Sequence, residues 1–214
     1  MHKPQNDPQC DFPASHEAVQ KLKAYEQLLR EWNAKFNLIA PRTVPQIWQR
    51  HFQDSAQLWP LLPPTTKRLV DLGSGAGFPG LVLAIMGVPE VHLIESTGKK
   101  ARFLETVATE LGLCVTVHNE RIEAVTGLKA DVVTARALTA LPDLFKLARP
   151  FLGKESVALF LKGEKAEGEL TQAHKYWTFE CVKTPSATSP SGVILQIRAL
   201  KVQRPHDGKR RKQL

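Results

Sequence analysis

The sequence predicts an α/β fold, with a mostly parallel seven-stranded sheet, an antiparallel C-terminal edge and an N-terminal helical extension. Three observations carry this reading. From Lys67 onward, β-prone runs alternate with helical periodicities, the rhythm of a parallel sheet covered on both faces. The stretch Leu69–Gly80, LVDLGSGAGFPG, reads as a strand, a glycine turn and a helix start. The last two predicted strands are joined only by the loop TPSATSPSG, which leaves no room for a crossover helix, so they pair antiparallel.

Residues 1–14 hold three prolines among polar residues and read as a loose arm. Ser15 is placed to cap a helix, because Val19, Leu22, Tyr25, Leu29, Trp32 and Phe36 then recur at helical spacing. That stripe needs a surface to lie on, so Trp32 and Phe36 are read as core packing ahead of base-stacking platforms. Pro41 and Pro45 break the pattern, and a second helix is expected from Gln46 to about Trp59, ended by prolines at 60, 63 and 64. Strands are expected at 68–72, 90–95, 114–118, 130–135, 155–162, 177–183 and 193–201, with helices at about 79–87, 98–112, 140–150 and 164–174. The chain divides on this reading into an arm and helical cap (1–64), a sheet domain (65–202) and a basic tail (203–214).

At 214 residues the chain can bury one α/β core plus an extension. Its 43% hydrophobic and 23% charged content is ordinary for a globular protein, and the longest apolar run, Leu81–Met86, is far too short to cross a bilayer. The opening MHKPQNDPQC has no apolar h-region, so no secretion signal and a cytoplasmic location are expected. Cys10, Cys114 and Cys181 are odd in number and far apart, which fits a reducing compartment and neither a disulfide framework nor a zinc site. The seven histidines show no metal-ligand spacing, so no metal is expected. The net charge of +8 suggests a polyanionic partner, yet from Lys201 onward six Lys/Arg stand against Asp207 alone, so the tail contributes five of the eight units. That tail reads equally as an RNA contact or as a solvated end.

Ligands of open α/β sheets sit outside the carboxyl ends of the strands. There, glycines at 73, 75, 77 and 80 allow close backbone approach, and the helix that follows offers free N–H groups. Gly75, Gly77 and Gly80 satisfy G-x-G-x-x-G, a weak dinucleotide signal on its own, and a plain tight turn is the bland alternative. Asp71, expected at the pocket mouth, would repel a pyrophosphate and attract a ligand carrying an ammonium and a sulfonium, as S-adenosylmethionine does. Glu95 ends the second strand, placed to accept two hydrogen bonds from a ribose diol or to serve as a solvated turn residue. Glu123, or the backbone around Ile122, suits an adenine edge or a helix N-terminus. Arg136 ends the fourth strand, where its planar fork suits a carboxylate, a phosphate or an exposed ion pair. His51 and Asp54, on one helix face, either brace each other or stand near a substrate pocket. Lys99, Lys100 and Arg102 open a helix, where a phosphate or a solvated face explains them. Lys162 ends the fifth strand and is an RNA-backbone candidate.

The segments REWNAKFNLIAPR (30–42), RHFQDSAQL (50–58), VDLGSGAGFPGLVLAI (70–85), LIESTGKKARFLE (93–105), RIEAV (121–125), ARAL (135–138) and LKG (161–163) resemble the class I S-adenosylmethionine-dependent methyltransferases, and within them the bacterial RsmG (GidB) family. The glycine loop is class-wide, whereas N-x-x-x-N-L, H-x-x-D-S and G-K-K-x-x-F-L are specific to the family. The likeness runs from about Glu17 to Leu200. It implies a Rossmann-like class I methyltransferase fold and methylation of N7 of a 16S ribosomal RNA guanine, usually numbered 527, with S-adenosylhomocysteine as the second product. The family's cofactor contacts fall on Gly73, Phe78, Ile122, Glu123 and Arg136, to which the residue reading adds Asp71, Gly75 and Glu95; a relative often has Asp at the last position. In-line attack by the N7 lone pair needs no obligatory general base, which leaves Arg136, His51, Asp54 and Lys162 as substrate-side candidates. The expected partner is 16S RNA or the small ribosomal subunit, with the chain acting as a monomer, no metal and no membrane. Two rivals stand beside this reading: an NAD-dependent oxidoreductase, from Gly75, Gly77 and Gly80, and a non-catalytic RNA-binding assembly factor, from the basic tail.

Overall fold

A computed structural model describes residues 14–203; the expected arm up to Pro13 and the basic tail beyond Gln203 lie outside the described residues. Helix α1 (His16–Phe36) starts where the Ser15 side chain accepts the Ala18 N–H, and it stops at Asn37, whose left-handed backbone lets its N–H close on the Asn33 carbonyl. Its buried stripe is Ala18, Leu22, Tyr25 and Leu29. Trp32 packs against Phe103 at 5.6 Å between ring centroids, as core packing requires, whereas Phe36, read the same way, is exposed at the end of the helix.

The expected second helix over 46–59 is instead a broken series. A 3₁₀ turn (Pro41–Gln46), a π-helical turn (Trp48–Gln53), the short helix α2 (Asp54–Ala56) and another 3₁₀ turn (Trp59–Leu61) follow one another. Pro45 and Pro60 lie within the flanking 3₁₀ turns, so they bound the stretch as expected, while the break inside it is the π turn. The π turn widens the spiral at His51, a local geometry frequent at functional sites.

The strands are β1 (Arg68–Leu72), β2 (Glu90–Ile94), β3 (Val115–His118), β4 (Ala130–Arg136), β5 (Leu152–Lys162), β6 (Trp177–Pro185) and β7 (Val193–Val202). Between them run α3 (Gly80–Met86), α4 (Gly98–Glu110), α5 (Leu141–Ala148) and α6 (Ala166–Ala173). Strand β5 begins earlier than expected, across an irregular register with β4 between Ala130 and Val132, where Ser156 Oγ donates to the Ala130 carbonyl.

The sheet order is β3-β2-β1-β4-β5-β7-β6. The first five of these strands pair in parallel, and β7 lies antiparallel between β5 and β6. Alternation along β1 sends Leu69 into an apolar cluster with α1, α3 and α4, and Val70 into a second one with α5 and α6. Both faces are thereby covered, as a parallel sheet demands. In the register, Leu72 stands beside Ile94 and Ala135, and Arg136 beside Leu161. Gly73, Glu95, Arg136 and Lys162 therefore share one rim. No helix among the described residues is long and apolar enough to cross a membrane.

Candidate active site

At the end of β1 the backbone turns through Gly73, Gly75 and Gly77, with φ of +65°, +60° and +95°. The requirement is strictest at Gly77, where a Cβ would come within 2.4 Å of Leu81 Cδ1 and 2.7 Å of the Tyr25 hydroxyl. That hydroxyl, delivered by α1, donates to the Ala76 carbonyl inside the loop. Ser74 ties the loop to the sheet, its N–H bonding to the Ile94 carbonyl and its Oγ to the Asp71 carbonyl.

Asp71 departs from its expected place. Leu69 and Asp71 share the strand face that meets α3, so the Asp71 carboxylate points beneath the helix start and is fully buried. It accepts from Thr134 Oγ1 at 2.7 Å and from the Gly80 N–H at 3.3 Å. Burial pushes its carboxyl up to about 6, the bonds from Thr134, Ser74 and Gly80 acting the other way. The side chain does not line the cavity above the loop, so it shapes the glycine turn and does not sit at the pocket mouth.

That cavity, of about 420 Å³, gathers the other sequence-predicted binding residues: Gly73, Gly75, Phe78, Glu95, Ile122, Glu123 and Arg136 all line it. Leu38 and Ile39 from the cap, and Lys100, Leu138 and Leu147, are among the other residues of its walls. Sequence reasoning missed the apolar members, because an isolated Leu in a loop carries no signal of which cavity it faces. Glu95 is almost wholly buried, and its two carboxylate oxygens accept the N–H groups of Gly75 at 2.9 Å and Thr97 at 2.7 Å. Two backbone donors fix its orientation and leave further lone pairs for the cavity it lines. Ile122 and Glu123 lie on a 3₁₀ turn (Ile122–Ala124) beyond β3.

His51 and Asp54 do not brace each other; Arg136 takes both. Its Nη1 donates to Asp54 Oδ2 at 3.0 Å and to the Arg50 carbonyl at 3.2 Å, and its Nη2 donates to His51 Nδ1 at 3.0 Å. Its guanidinium lies over the Phe78 ring, with 5.0 Å from Cζ to the centroid, and His51 stacks on the same ring at 4.8 Å. Because His51 Nδ1 accepts, Nε2 carries the hydrogen and donates to Thr43 Oγ1 at 2.9 Å. Burial, with Arg136 and Arg50 beside it, lowers the His51 pKa to about 3, so the ring is neutral near pH 7. The ion pair expected for Arg136 as a bland alternative thus exists, but it is half-buried and reaches the cap.

Asp54 Oδ1 also accepts from Thr188 Oγ1 at 2.5 Å, and Gln57 Oε1 accepts the Ala187 N–H at 2.9 Å, so the β6–β7 loop is stitched to the cap. Lys162 is not the free cation expected for an RNA phosphate. It donates to the Thr139 carbonyl at 2.8 Å and pairs with Glu169 at 2.7 Å. At the start of α4, Lys99 covers the Phe36 ring at 5.5 Å while Lys100 reaches the cavity.

The family profile described as rRNA small subunit methyltransferase G (GidB) matches residues 18–197. The chain belongs to that family. A member from Rhodospirillum centenum, named ribosomal RNA small subunit methyltransferase G, is 53% identical over 191 residues, covering 89% of this chain and 88% of that protein. One of the same name from Paramagnetospirillum magneticum is 52% identical over 184 residues, covering 86% and 90%. Among solved structures, the glycopeptide N-methyltransferase MtfA complexed with S-adenosylmethionine has a TM-score of 0.59 at 10% identity, over 69% of this chain and 93% of that one. The ribosomal protein L11 methylase of Lactobacillus delbrueckii subsp. bulgaricus has a TM-score of 0.55 at 16% identity, over 67% and 75%. These likenesses carry the fold. Membership of the GidB family, within the class I S-adenosylmethionine-dependent methyltransferases, displaces the nicotinamide-dependent oxidoreductase as a reading of the glycine loop.

The cavity fits the family's methyl donor. A Cβ at Gly75 would meet nothing closer than the Gly73 carbonyl at 3.9 Å, so the backbone there lies open. Glu95 presents a fixed acceptor to a diol, and Ile122 and Leu147 present an apolar wall to a flat ring.

Proposed function

We propose that this chain transfers a methyl group from S-adenosylmethionine to N7 of a guanine in 16S ribosomal RNA, the position usually numbered 527. The observation that carries the reading is the juxtaposition of two cavities on the carboxyl rim: the donor cavity over the glycine loop opens beside a second cavity of about 740 Å³, with His51, Arg136, Ala137 and Leu138 common to both. Gly73, Gly75, Phe78, Glu95, Ile122 and Glu123 hold the donor on this reading. When bound, S-adenosylmethionine supplies a methyl group that the N7 lone pair accepts as the carbon–sulfur pair returns to sulfur, with no proton moved and the positive charge passing to the base.

No general base is needed, and His51 is not placed as one, since both of its ring nitrogens are engaged by Arg136 and Thr43. Catalysis rests on alignment, which can supply about 7–11 kcal/mol. Arg136 was expected to grip a carboxylate or phosphate; with its guanidinium on Asp54, His51 and the Arg50 carbonyl, it instead builds the wall between the cavities. The target base leaves its stack to reach that wall.

The test is transfer of labelled methyl from S-adenosylmethionine to small subunits, or to 16S RNA, lacking the modification, followed by mapping. Label at N7 of one guanine supports the proposal. RNA binding without label would instead favour a non-catalytic assembly factor.

A further inference from the structure

The second cavity has an unusual distribution of charge. Arg136 and Lys162, at the ends of β4 and β5, lie in its walls, and each already holds a carboxylate. Asp54 Oδ2 is 3.0 Å from Arg136 Nη1, and Glu169 Oε2 is 2.7 Å from Lys162 Nζ, with all four side chains between 11% and 22% exposed. Arg50, Lys165 and Glu164 also line it, but they are exposed and have no ion-pair partner among the described residues. The depth of the cavity is therefore electrically neutral, and its unpaired charge is at the rim. A phosphate seeks unpaired cations. Only the rim offers them, so the interior suits an uncharged polar ring.

We infer that the second cavity seats the acceptor nucleobase, a neutral purine that becomes a cation, and that Asp54 is a positioning residue whose negative charge cancels Arg136 beside that ring. The inference rests on the proposed methylation of guanine N7. A purine methylated at N7 gains a positive charge where it had none. An uncompensated guanidinium within a few ångströms would oppose that change at partly buried, low-dielectric positions, and a paired one would not. Asp54 serves this end from a fixed position, since its other oxygen accepts from Thr188 Oγ1 and from Gln57 Nε2. Glu169 is fixed as well, its Oε2 accepting both the Leu141 N–H and the Lys162 ammonium.

Substitution of Asp54 by Asn removes the charge and keeps an oxygen acceptor for Thr188 and Gln57 but turns an amide donor toward Arg136 Nη1, so the double variant, which removes that guanidinium, separates charge from bracing. The full chain would be compared as wild type, Asp54→Asn, Asp54→Glu and Asp54→Asn/Arg136→Gln, with single-turnover methylation of unmodified 16S RNA at saturating S-adenosylmethionine. Affinity for S-adenosylmethionine and melting temperature are read beside the rates. Asp54→Asn is expected to slow the methylation step by about tenfold or more while donor affinity stays within about twofold. Asp54→Glu stays within about threefold of wild type, and the double variant recovers at least about fivefold over Asp54→Asn, because it removes the uncompensated cation. Glu169→Gln tests the other pair independently, with a fall of the same sign.

A double variant as slow as Asp54→Asn, or an Asp54→Asn protein as fast as wild type, overturns the inference while leaving the proposed activity standing. Wild-type chain that places no label on guanine N7 overturns the proposed activity itself, and this inference with it.

Discussion

Asp71 and His51 stand about the same glycine loop and Arg136, and the fold shifts their proton equilibria in ways that affect stability oppositely. Asp71 is raised from its ordinary 3.8 to about 6, so it favours the folded state fully below pH 3.8 and loses that contribution as pH rises through 6. His51 is lowered from 6.5 to about 3, so its contribution is complete above pH 6.5 and is lost as pH falls toward 3. Between pH 6 and 4 the two partly cancel. Asp71→Asn should therefore make the protein lose stability more steeply over that interval, and His51→Gln less steeply, each changing the slope by up to about 1 kcal/mol per pH unit. Urea unfolding at stepped pH measures this; slopes parallel to wild type would contradict it. At this scale the sequence was informative about position and silent about direction. Asp71 was legible as the end of the first strand, but its carboxylate goes inward because Thr134, sixty-three residues away, and the Gly80 N–H meet it there. Glu95 was legible in position, at the end of the second strand beside the loop, but not in its bonds to the Gly75 and Thr97 N–H groups.

Helix α1 is the element whose stripe could be read and whose task could not. Tyr25 appeared among the apolar positions of a cap, and it is fully buried among Phe52, Phe78 and Phe103. Periodicity cannot show that its hydroxyl reaches the Ala76 carbonyl. Tyr25→Phe keeps the ring packing and removes that bond, at a cost of about 1 kcal/mol in stability. Because the lost bond holds the glycine loop, affinity for S-adenosylmethionine should fall by about three- to tenfold, as titration calorimetry would show. Unchanged affinity beside a lowered melting temperature would mean that the loop keeps its shape without α1. The π turn at Trp48–Gln53 was hidden for a related reason: hydrophobic spacing signals a helix but not a widened turn, and here the turn brings the Arg50 carbonyl, His51 and Asp54 to one arginine.

For the whole molecule, the alternation of strands and helices and the loop TPSATSPSG made the mostly parallel sheet and its antiparallel edge legible, but not the strand order, in which β7 enters between β5 and β6. The seam between cap and sheet was not, since a stripe does not specify what it packs on. Leu22, Tyr25, Leu29 and Phe52 of the cap share one apolar cluster with Leu69, Val91, Val132 and Leu159 of the sheet. A cap built into the sheet's own core has little to hold it folded alone. Calorimetry should accordingly show one cooperative transition with equal van't Hoff and calorimetric enthalpies, and a separate early transition of the cap would refute this.

The stitch between Asp54 or Gln57 and the loop at 187–188 joins segments about 130 positions apart. Every residue around the donor cavity has been translated by Leu147, whereas the wall of its neighbour is incomplete until Val193 has been added. A growing polypeptide thus carries all the lining residues of the first cavity well before it has those of the second. Synthesis on a ribosome imposes an order on the two cavities, and no copy that stops short of Val193 carries every wall of the second.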